Sequence, residues 1–275
     1  MTQLDWSETP KTPLVIDGVT LEYACFGPAP DRAPTLVLLH EGLGCAALWR
    51  DFPLALVAAT GMGVLVYSRQ GYGQSDPATL PRPVDFMTHE AMDVLPEILD
   101  RAGVQHCILF GHSDGASIAA IYAGSTEDRR VRGLILMAPH FFTEPDGLRE
   151  IAAARAAFET GDLRARMAKY HRDPDNAFLG WNEVWLNPAF ESWNIGEVID
   201  YFRIPVLAIQ GRDDQYGTLA QIDEITSRAY SPVDVAILDD CRHAPHQEQT
   251  QMVLDAVQEY AARLWRIEAA QVATG

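Results

Sequence analysis

The sequence is poor in cysteine and in basic residues, and it contains no long apolar run. Its four cysteines lie far apart and form no Cys-x-x-Cys pair, which argues against a disulfide framework or a zinc site. The 21 lysines and arginines are outnumbered by 38 acidic residues, and the net charge of -17 disfavours binding to nucleic acid or anionic lipid. No run reaches the roughly 18 apolar residues of a transmembrane helix, and the polar start MTQLDWSETPKTP lacks the apolar core of a signal peptide. We therefore expect a cytoplasmic protein with reduced cysteines that does not bind a membrane. The sequence is compatible with a monomer or a homo-oligomer.

Short apolar segments alternate with helical stretches through most of the 275 residues. Segments of this length are typical of strands buried on both faces of a parallel sheet. We expect an α/β fold with a mostly parallel central sheet, helices on both faces, and ligands bound beyond the carboxyl ends of the strands. The predicted strands are TLVLLH, GVLVYSR, HCILFG, GLILMAP, PVLAIQG and VAILDD, preceded by two extended pieces around Asp17-Gly18.

The alternation breaks between residues 142 and 201. The segment LREIAAARAAFETGDLRARMAKYH predicts two helices around Gly161-Asp162, and three of the six tryptophans follow it. We predict a core domain over 1–141, a helical cap inserted at 142–201, and the rest of the core over 202–275. The insertion starts just after one predicted strand and ends just before the next, and we expect both of its ends to lie at the carboxyl edge of the sheet. It should therefore cover that edge.

The segment FGHSDGAS places a serine between two glycines where a strand becomes a helix. It contains G-x-S-x-G, whose serine sits on a strained strand-to-helix turn. Side chains two residues either way would collide, so Gly111 and Gly115 suit the turn. The helix amino terminus then favours negative charge developing near Ser113. A serine in this position predicts a nucleophile, which needs a base held by a third group.

Later strands offer the partners in the chain order serine, acid, histidine. The segment VLAIQGRDDQYG supplies Asp213 and Asp214 as candidates for the acid. The segment AILDDCRHAPHQ supplies His243 and His246 as candidates for the base. Both segments begin with a predicted strand, so both sets of side chains should gather at one edge of the sheet.

These motifs resemble the α/β-hydrolase superfamily over nearly the whole chain, in its serine hydrolase branch with a helical cap. Members typically carry G-x-x-D after the acid's strand, which implies Asp214. They typically carry a GHxPHxE-like stretch at the base; RHAPHQE matches it with Arg242 in place of glycine, which implies His243. The resemblance therefore implies a catalytic triad of Ser113, Asp214 and His243.

A further match to the family is YSRQGYGQSDP, which resembles its D-x-R-G-x-G-x-S loop. Ser68 replaces the usual aspartate of that loop. We interpret the stretch as structural, with turns built by its glycines and a loop anchored by Arg69.

An acyl-transfer serine also needs two amides to stabilise an oxyanion. One should be the N–H of Asp114, and the other should come from the loop after TLVLLH. That loop begins His-Gly in the family but reads His40-Glu41-Gly42 here, so we predict Gly42 as the second donor, with Leu43 as the alternative. A carboxylate beside a developing oxyanion would be repulsive, so we expect Glu41 to point away, tied to a neighbouring loop.

The resemblance implies a serine hydrolase that cleaves a small or medium carboxylic ester through an acyl-enzyme. Its substrate would be a small molecule, with no cofactor, and the absence of an HExxH motif predicts no catalytic metal. Related enzymes hydrolyse carbon–carbon bonds of ring-fission diketones, or act as lactonases, perhydrolases or hydroxynitrile lyases; a non-catalytic receptor is a further alternative. Dehalogenases and epoxide hydrolases carry aspartate at the elbow, unlike this chain. The candidate substrate-binding residues are Leu43, His140, Phe141, Trp181 and Trp185.

Overall fold

The structure is a computed structural model that describes residues 4–274, with side chains described for residues 4–267. Strands form a two-stranded and a seven-stranded sheet within these residues. The strands are β1 Leu14–Ile16, β2 Val19–Leu21, β3 Tyr23–Phe26, β4 Thr35–Leu39, β5 Gly63–Tyr67, β6 Cys107–His112, β7 Val131–Met137, β8 Val206–Gly211 and β9 Val233–Leu238.

The larger sheet has the order β3-β5-β4-β6-β7-β8-β9. Adjacent strands of this sheet pair in parallel, except that β3 runs antiparallel to β5. Each apolar segment singled out in the sequence forms one of its strands, and the α/β-hydrolase fold with a mostly parallel sheet is confirmed. The turn at Asp17-Gly18 joins β1 to β2, and both residues have positive φ, 47° and 83°.

The helices cover both faces of the sheet. They are α1 Phe52–Thr60, α2 Phe86–His89, α3 Leu95–Ala102, α4 Asp114–Ser125, α5 Pro145–Glu159, α6 Leu163–Met167, α7 Pro174–Trp185, α8 Ala220–Arg228, α9 Pro245–Glu248 and α10 Thr250–Thr274. Short 3-10 turns lie at Ala46–Trp49, Pro188–Phe190 and Gly196–Tyr201, and a π-helical turn at Glu90–Val94 joins α2 to α3. Within the described chain, no helix has the length and apolarity needed to cross a membrane.

The core consists of two apolar layers, one on each face of the sheet. In β4, Leu36 and Leu38 pack into one layer, and Val37 and Leu39 pack into the other. All four side chains are buried. Alternate residues of a strand point to opposite faces, which is why this strand reads as a continuous apolar run rather than as an alternating pattern.

Helices α5 to α7 leave the core after β7 and return before β8. The outgoing and returning segments pair at an antiparallel bridge between Phe142 and Asn194. Next to this bridge, the Ile195 N–H donates to the Phe141 carbonyl at 2.7 Å. The 3-10 turn at Gly196–Tyr201 packs on α4 of the core. The helical excursion therefore ends near Asn194, before the boundary at 201 expected from the sequence.

Candidate active site

Ser113 lies at the sharp turn from β6 into α4, with φ 54° and ψ -118°. The space on either side is closed by backbone. A Cβ at Gly111 would overlap the Gly115 carbonyl, and a Cβ at Gly115 would overlap the Leu39 carbonyl. The two glycines are thus required by close approach of the chain, as the sequence motif predicts, and the strain holds the serine at the carboxyl edge of the sheet.

A chain of hydrogen bonds runs from Ser113 through His243 to Asp214. The Ser113 Oγ lies 3.0 Å from His243 Nε2, and His243 Nδ1 lies 2.7 Å from Asp214 Oδ2. In the tautomer in which Nε2 accepts from the serine hydroxyl, the ring proton lies on Nδ1 and is donated to the carboxylate. The structure brings Asp214 rather than the exposed Asp213 to this position.

The loop after β8 holds the Asp214 carboxylate in place. Oδ2 accepts from Gln210 Nε2 at 2.9 Å, and Oδ1 accepts from the Tyr216 N–H at 2.8 Å. Burial alone would raise the pKa of Asp214, but the charge and hydrogen bond of His243 and the Tyr216 amide lower it to about 2. The carboxylate is therefore ionised at neutral pH and suited to stabilising an imidazolium.

His246, the other candidate base, packs away from the serine. Its ring lies 4.9 Å from that of Trp49 and 5.4 Å from that of Phe52. Burial lowers its pKa to about 3. Its role is to pack beneath the site, and the structure brings His243 rather than His246 to Ser113.

Gly42, Leu43 and Asp114 line the cavity together with Ser113, and their backbone amides donate to no acceptor among the described residues outside the helices and strands. The indole of Trp181 covers Gly42 so closely that any Cβ there would overlap it. These amides have the hydrogen-bonding capacity that an oxyanion would use.

Glu41 follows the expectation from the sequence only in part. Its carboxylate is drawn towards the elbow, with Oε2 3.5 Å from His112 Nδ1. However, Glu41 also lines the cavity and keeps a quarter of its side chain exposed. Burial alone would raise its pKa, but His112 holds the pKa well below its usual range. Meanwhile His112 Nε2 donates to the His243 carbonyl at 2.6 Å, which links the elbow to the base loop.

A cavity of about 100 Å³ opens beside Ser113 and is roofed by helices of the insertion. Four of the five predicted substrate-binding residues line it: Leu43, His140, Trp181 and Trp185. Burial lowers the pKa of His140 to about 3, so this histidine is neutral in the cavity wall.

Phe141 was predicted to contact substrate, and this prediction is wrong for the cavity in the structure. Its side chain is completely buried in the core. Its backbone N–H donates to Gln221 Oε1 at 2.7 Å, and its carbonyl accepts from Ile195. Both contacts fix Phe141 at the base of the insertion, facing the core rather than the cavity.

Sequence reasoning missed the cavity wall contributed by α5 and by the acid loop. The lining residues that it did not name are Glu144, just before α5, Gly147, Leu148 and Ile151 of α5, and Tyr216 of the acid loop. The spacing of three and four residues along α5 is that of one helix face, a signal the sequence does contain. Tyr216 lies 4.8 Å, ring to ring, from His243.

The insertion is tied directly to the elbow by Trp185. Its indole N–H donates to Asp114 Oδ1 at 3.2 Å, and its ring lies 5.4 Å from that of His140. Trp193 packs on Trp185 and stacks on Phe190 instead of lining the cavity. Of the three tryptophans in this segment, two line the cavity and one packs behind them.

The fold and the arrangement around Ser113 define an enzyme of the hydrolase class. Residues 34–203, more than half of the chain, match the sequence model of a family described as "alpha/beta hydrolase fold". The chain belongs to the α/β-hydrolase family.

Individual relatives agree with this family. The bifunctional esterase/perhydrolase DCH of Acinetobacter calcoaceticus is 26% identical over 235 residues, covering 72% of this chain and 80% of the relative. Epoxide hydrolase 2 of Siraitia grosvenorii is 25% identical over 218 residues, covering 70% of this chain and 66% of the relative.

Solved structures share the fold along almost the full chain. The enol-lactonase of Burkholderia xenovorans LB400 is similar with a TM-score of 0.72 at 18% identity, covering 91% of this chain and all of its own. A thermophilic esterase of Thermogutta terrifontis is similar with a TM-score of 0.70 at 16% identity, covering 96% of this chain and 99% of its own. At these identities the likeness concerns the fold.

Proposed function

We propose that this hydrolase cleaves small or medium carboxylic esters through an acyl-enzyme on Ser113. The observation that carries the proposal is the hydrogen-bond chain Ser113–His243–Asp214 beside the amides of Gly42 and Asp114. A serine activated in this way, next to preorganised amide donors, suits attack on an acyl carbon.

In the first half-reaction, Ser113 Oγ attacks the ester carbon while His243 Nε2 takes the hydroxyl proton. Asp214 stabilises the resulting imidazolium, and the amides of Gly42 and Asp114 stabilise the oxyanion. Collapse of the tetrahedral intermediate breaks the bond to the alcohol, which leaves with the proton from His243. Water, deprotonated by the same imidazole, then attacks the acyl carbon; the bond to Ser113 Oγ breaks, His243 returns the proton to this oxygen, and the acid is released.

The roof of the site supports a preference for compact substrates. Trp181 and Trp185 bring rigid apolar surface to the cavity, with Leu148 and Ile151 of α5 beside them. The space of about 100 Å³ suits a short acyl chain or a small aromatic part rather than a long lipid chain. We propose that the insertion acts as a cap that excludes water and strengthens the electrostatics of the site.

Perhydrolysis is a second candidate, because peroxide can replace water in the attack on an acyl-enzyme. The relative named as a bifunctional esterase/perhydrolase supports it. One relative is named as an epoxide hydrolase. Epoxide hydrolysis is nevertheless disfavoured, because epoxide hydrolases carry an aspartate at the elbow, where this chain has Ser113. We also propose that the enzyme works in the cytoplasm without a cofactor, and its oligomeric state stays open.

A substrate panel tests the proposal. It contains aryl and alkyl esters of graded acyl length, lactones and ring-fission diketones, each assayed with the wild type and with Ser113→Ala. We expect hydrolysis of short esters by the wild type and a loss of several orders of magnitude in the variant. Turnover of the diketones alone, or ester hydrolysis that survives in Ser113→Ala, would contradict the proposal.

A further inference from the structure

A buried arginine lies directly beneath the loop that carries Gly42. Arg69 follows β5, and only 1% of its surface is exposed. Its Nη2 donates to the carbonyl of Glu41 at 3.0 Å, and its Nη1 donates to the carbonyl of His40. Fixing both carbonyls uses the planar fork of the guanidinium, whose donors are set at a constant separation.

The Glu41 carbonyl belongs to the same peptide group as the Gly42 N–H. It accepts three hydrogen bonds: from Arg69 at 3.0 Å, from His40 Nδ1 at 2.7 Å and from the Gly44 amide at 3.1 Å. In a trans peptide the N–H points opposite to the carbonyl, so these donors turn the Gly42 N–H away from Arg69. Hydrogen bonds to a carbonyl also polarise the peptide and strengthen its N–H as a donor.

His40 is held in the tautomer that this arrangement needs. The Arg69 backbone N–H donates to His40 Nε2 at 3.1 Å, so the single ring proton of the neutral imidazole resides on Nδ1 and points at the Glu41 carbonyl. Burial lowers the pKa of His40 well below its usual range. The backbone and the side chain of Arg69 therefore act on the same peptide.

The guanidinium also faces the second amide-bearing residue. Arg69 Nη2 lies 3.8 Å from Asp114 Oδ2, and both side chains are 1% exposed. The other carboxylate oxygen of Asp114 accepts from the Trp185 indole. One buried cation thus lies between the two residues whose amides adjoin Ser113.

We propose that Arg69 is a positioning residue that orients and polarises the Gly42 amide for the oxyanion, while its charge holds the side chain of Asp114 beside it. This inference rests on the proposed function, because it assumes a tetrahedral intermediate on Ser113. Donors set in advance act most strongly where charge develops, so the contribution of Arg69 falls on the transition state rather than on bound substrate. If Arg69 only anchored the loop, its loss would lower the stability of the protein but would not weaken binding of the transition state more than binding of the substrate.

The test compares Arg69→Met and Arg69→Lys with Arg82→Met as the matched control. Arg82 stands 5.0 Å from the Tyr72 ring, as Arg69 does, but its guanidinium donates to the Gln70 carbonyl instead of the Gly42 loop. For each variant, kcat and KM are measured with a short aryl ester. The inhibition constant of an alkyl boronic acid, which forms a tetrahedral anionic adduct with a serine, is measured in parallel.

For Arg69→Met we expect kcat and boronate affinity to fall together by about tenfold to a hundredfold, with KM nearly unchanged. Arg69→Lys keeps the charge but cannot hold both carbonyls with one fork, so an intermediate loss is expected. If Arg69→Met does not fold, Arg69→Lys decides by the same criterion. Arg82→Met should leave the ratio of boronate affinity to KM as in the wild type.

Two results would overturn the inference, and they differ from failure of the proposed function. One is wild-type boronate affinity in a folded Arg69 variant. The other is an equal loss of boronate affinity and substrate binding. If the wild-type enzyme itself neither hydrolysed esters nor bound boronates, the proposed function would fail and the role of Arg69 would fall with it.

Discussion

Acid should destabilise this protein through its buried neutral histidines, and His246 allows the size of the effect to be worked out. Only 4% of His246 is exposed, and burial lowers its pKa to about 3. An unfolded histidine has a pKa of about 6.5. Between these values the unfolded chain binds a proton that the folded protein does not, so the free energy of unfolding falls as pH falls from about 6.5 towards 3. From pH 7 to pH 5, His246 alone should cost about 2 kcal/mol.

The substitution His246→Phe removes this titration while keeping an aromatic ring between Trp49 and Phe52. Urea unfolding of the wild type and the variant at pH 7 and pH 5 gives the difference directly. The loss of unfolding free energy on acidification should be smaller in His246→Phe by about 2 kcal/mol. The same substitution at His106, which is exposed, is the matched control and should leave the loss nearly unchanged. An identical pH dependence in wild type and His246→Phe would refute the reasoning.

Three further predictions concern the site. Asp214→Asn should lower kcat/KM by orders of magnitude and Asp213→Asn only slightly, because only Asp214 contacts His243; the reverse ranking would reassign the acid. Trp185→Phe removes the donor to Asp114 Oδ1 and leaves that buried oxygen without its partner, so the free energy of unfolding should fall by about 1 to 3 kcal/mol; an unchanged value would restrict Trp185 to packing. The carboxylates of Glu41 and Glu144 line the cavity, whereas no lysine or arginine of the described residues does, so 3-carboxyphenyl acetate should react at least about tenfold more slowly than 3-carbamoylphenyl acetate. Equal rates for the two esters, after correction for their intrinsic reactivity, would contradict the predicted negative electrostatic field in the cavity.

The elements that place Ser113 could be predicted because their signals are local. The strand HCILFG, the two glycines of the elbow and the helix GASIAAIYAGS follow one another in the sequence, and each has its own periodicity or steric requirement. The choice of Asp214 over Asp213 needed the family resemblance, because adjacent aspartates on one loop differ only in their tertiary neighbours.

The cavity wall was less predictable because it depends on how the insertion docks. Phe141 follows a strand end as His140 does, but the bridge at Asn194 directs it into the core. Gly147 and Ile151 lie on one face of α5, but no local pattern reveals that this face lines the cavity beside Ser113. The pairing of Glu41 with His112 likewise joins two loops that are distant in the sequence.

The central claim is that Ser113 carries the acyl group during turnover. The most direct measurement is mass spectrometry of the enzyme quenched in acid during hydrolysis of p-nitrophenyl acetate, followed by peptide mapping. We predict an acetyl adduct on the peptide that contains Ser113 in the wild type and no adduct in Ser113→Ala. In His243→Ala, which lacks the base for deacylation, the adduct should accumulate over a longer incubation. Rapid turnover by the wild type with no adduct at Ser113, or with the acetyl group on another residue, would contradict the account.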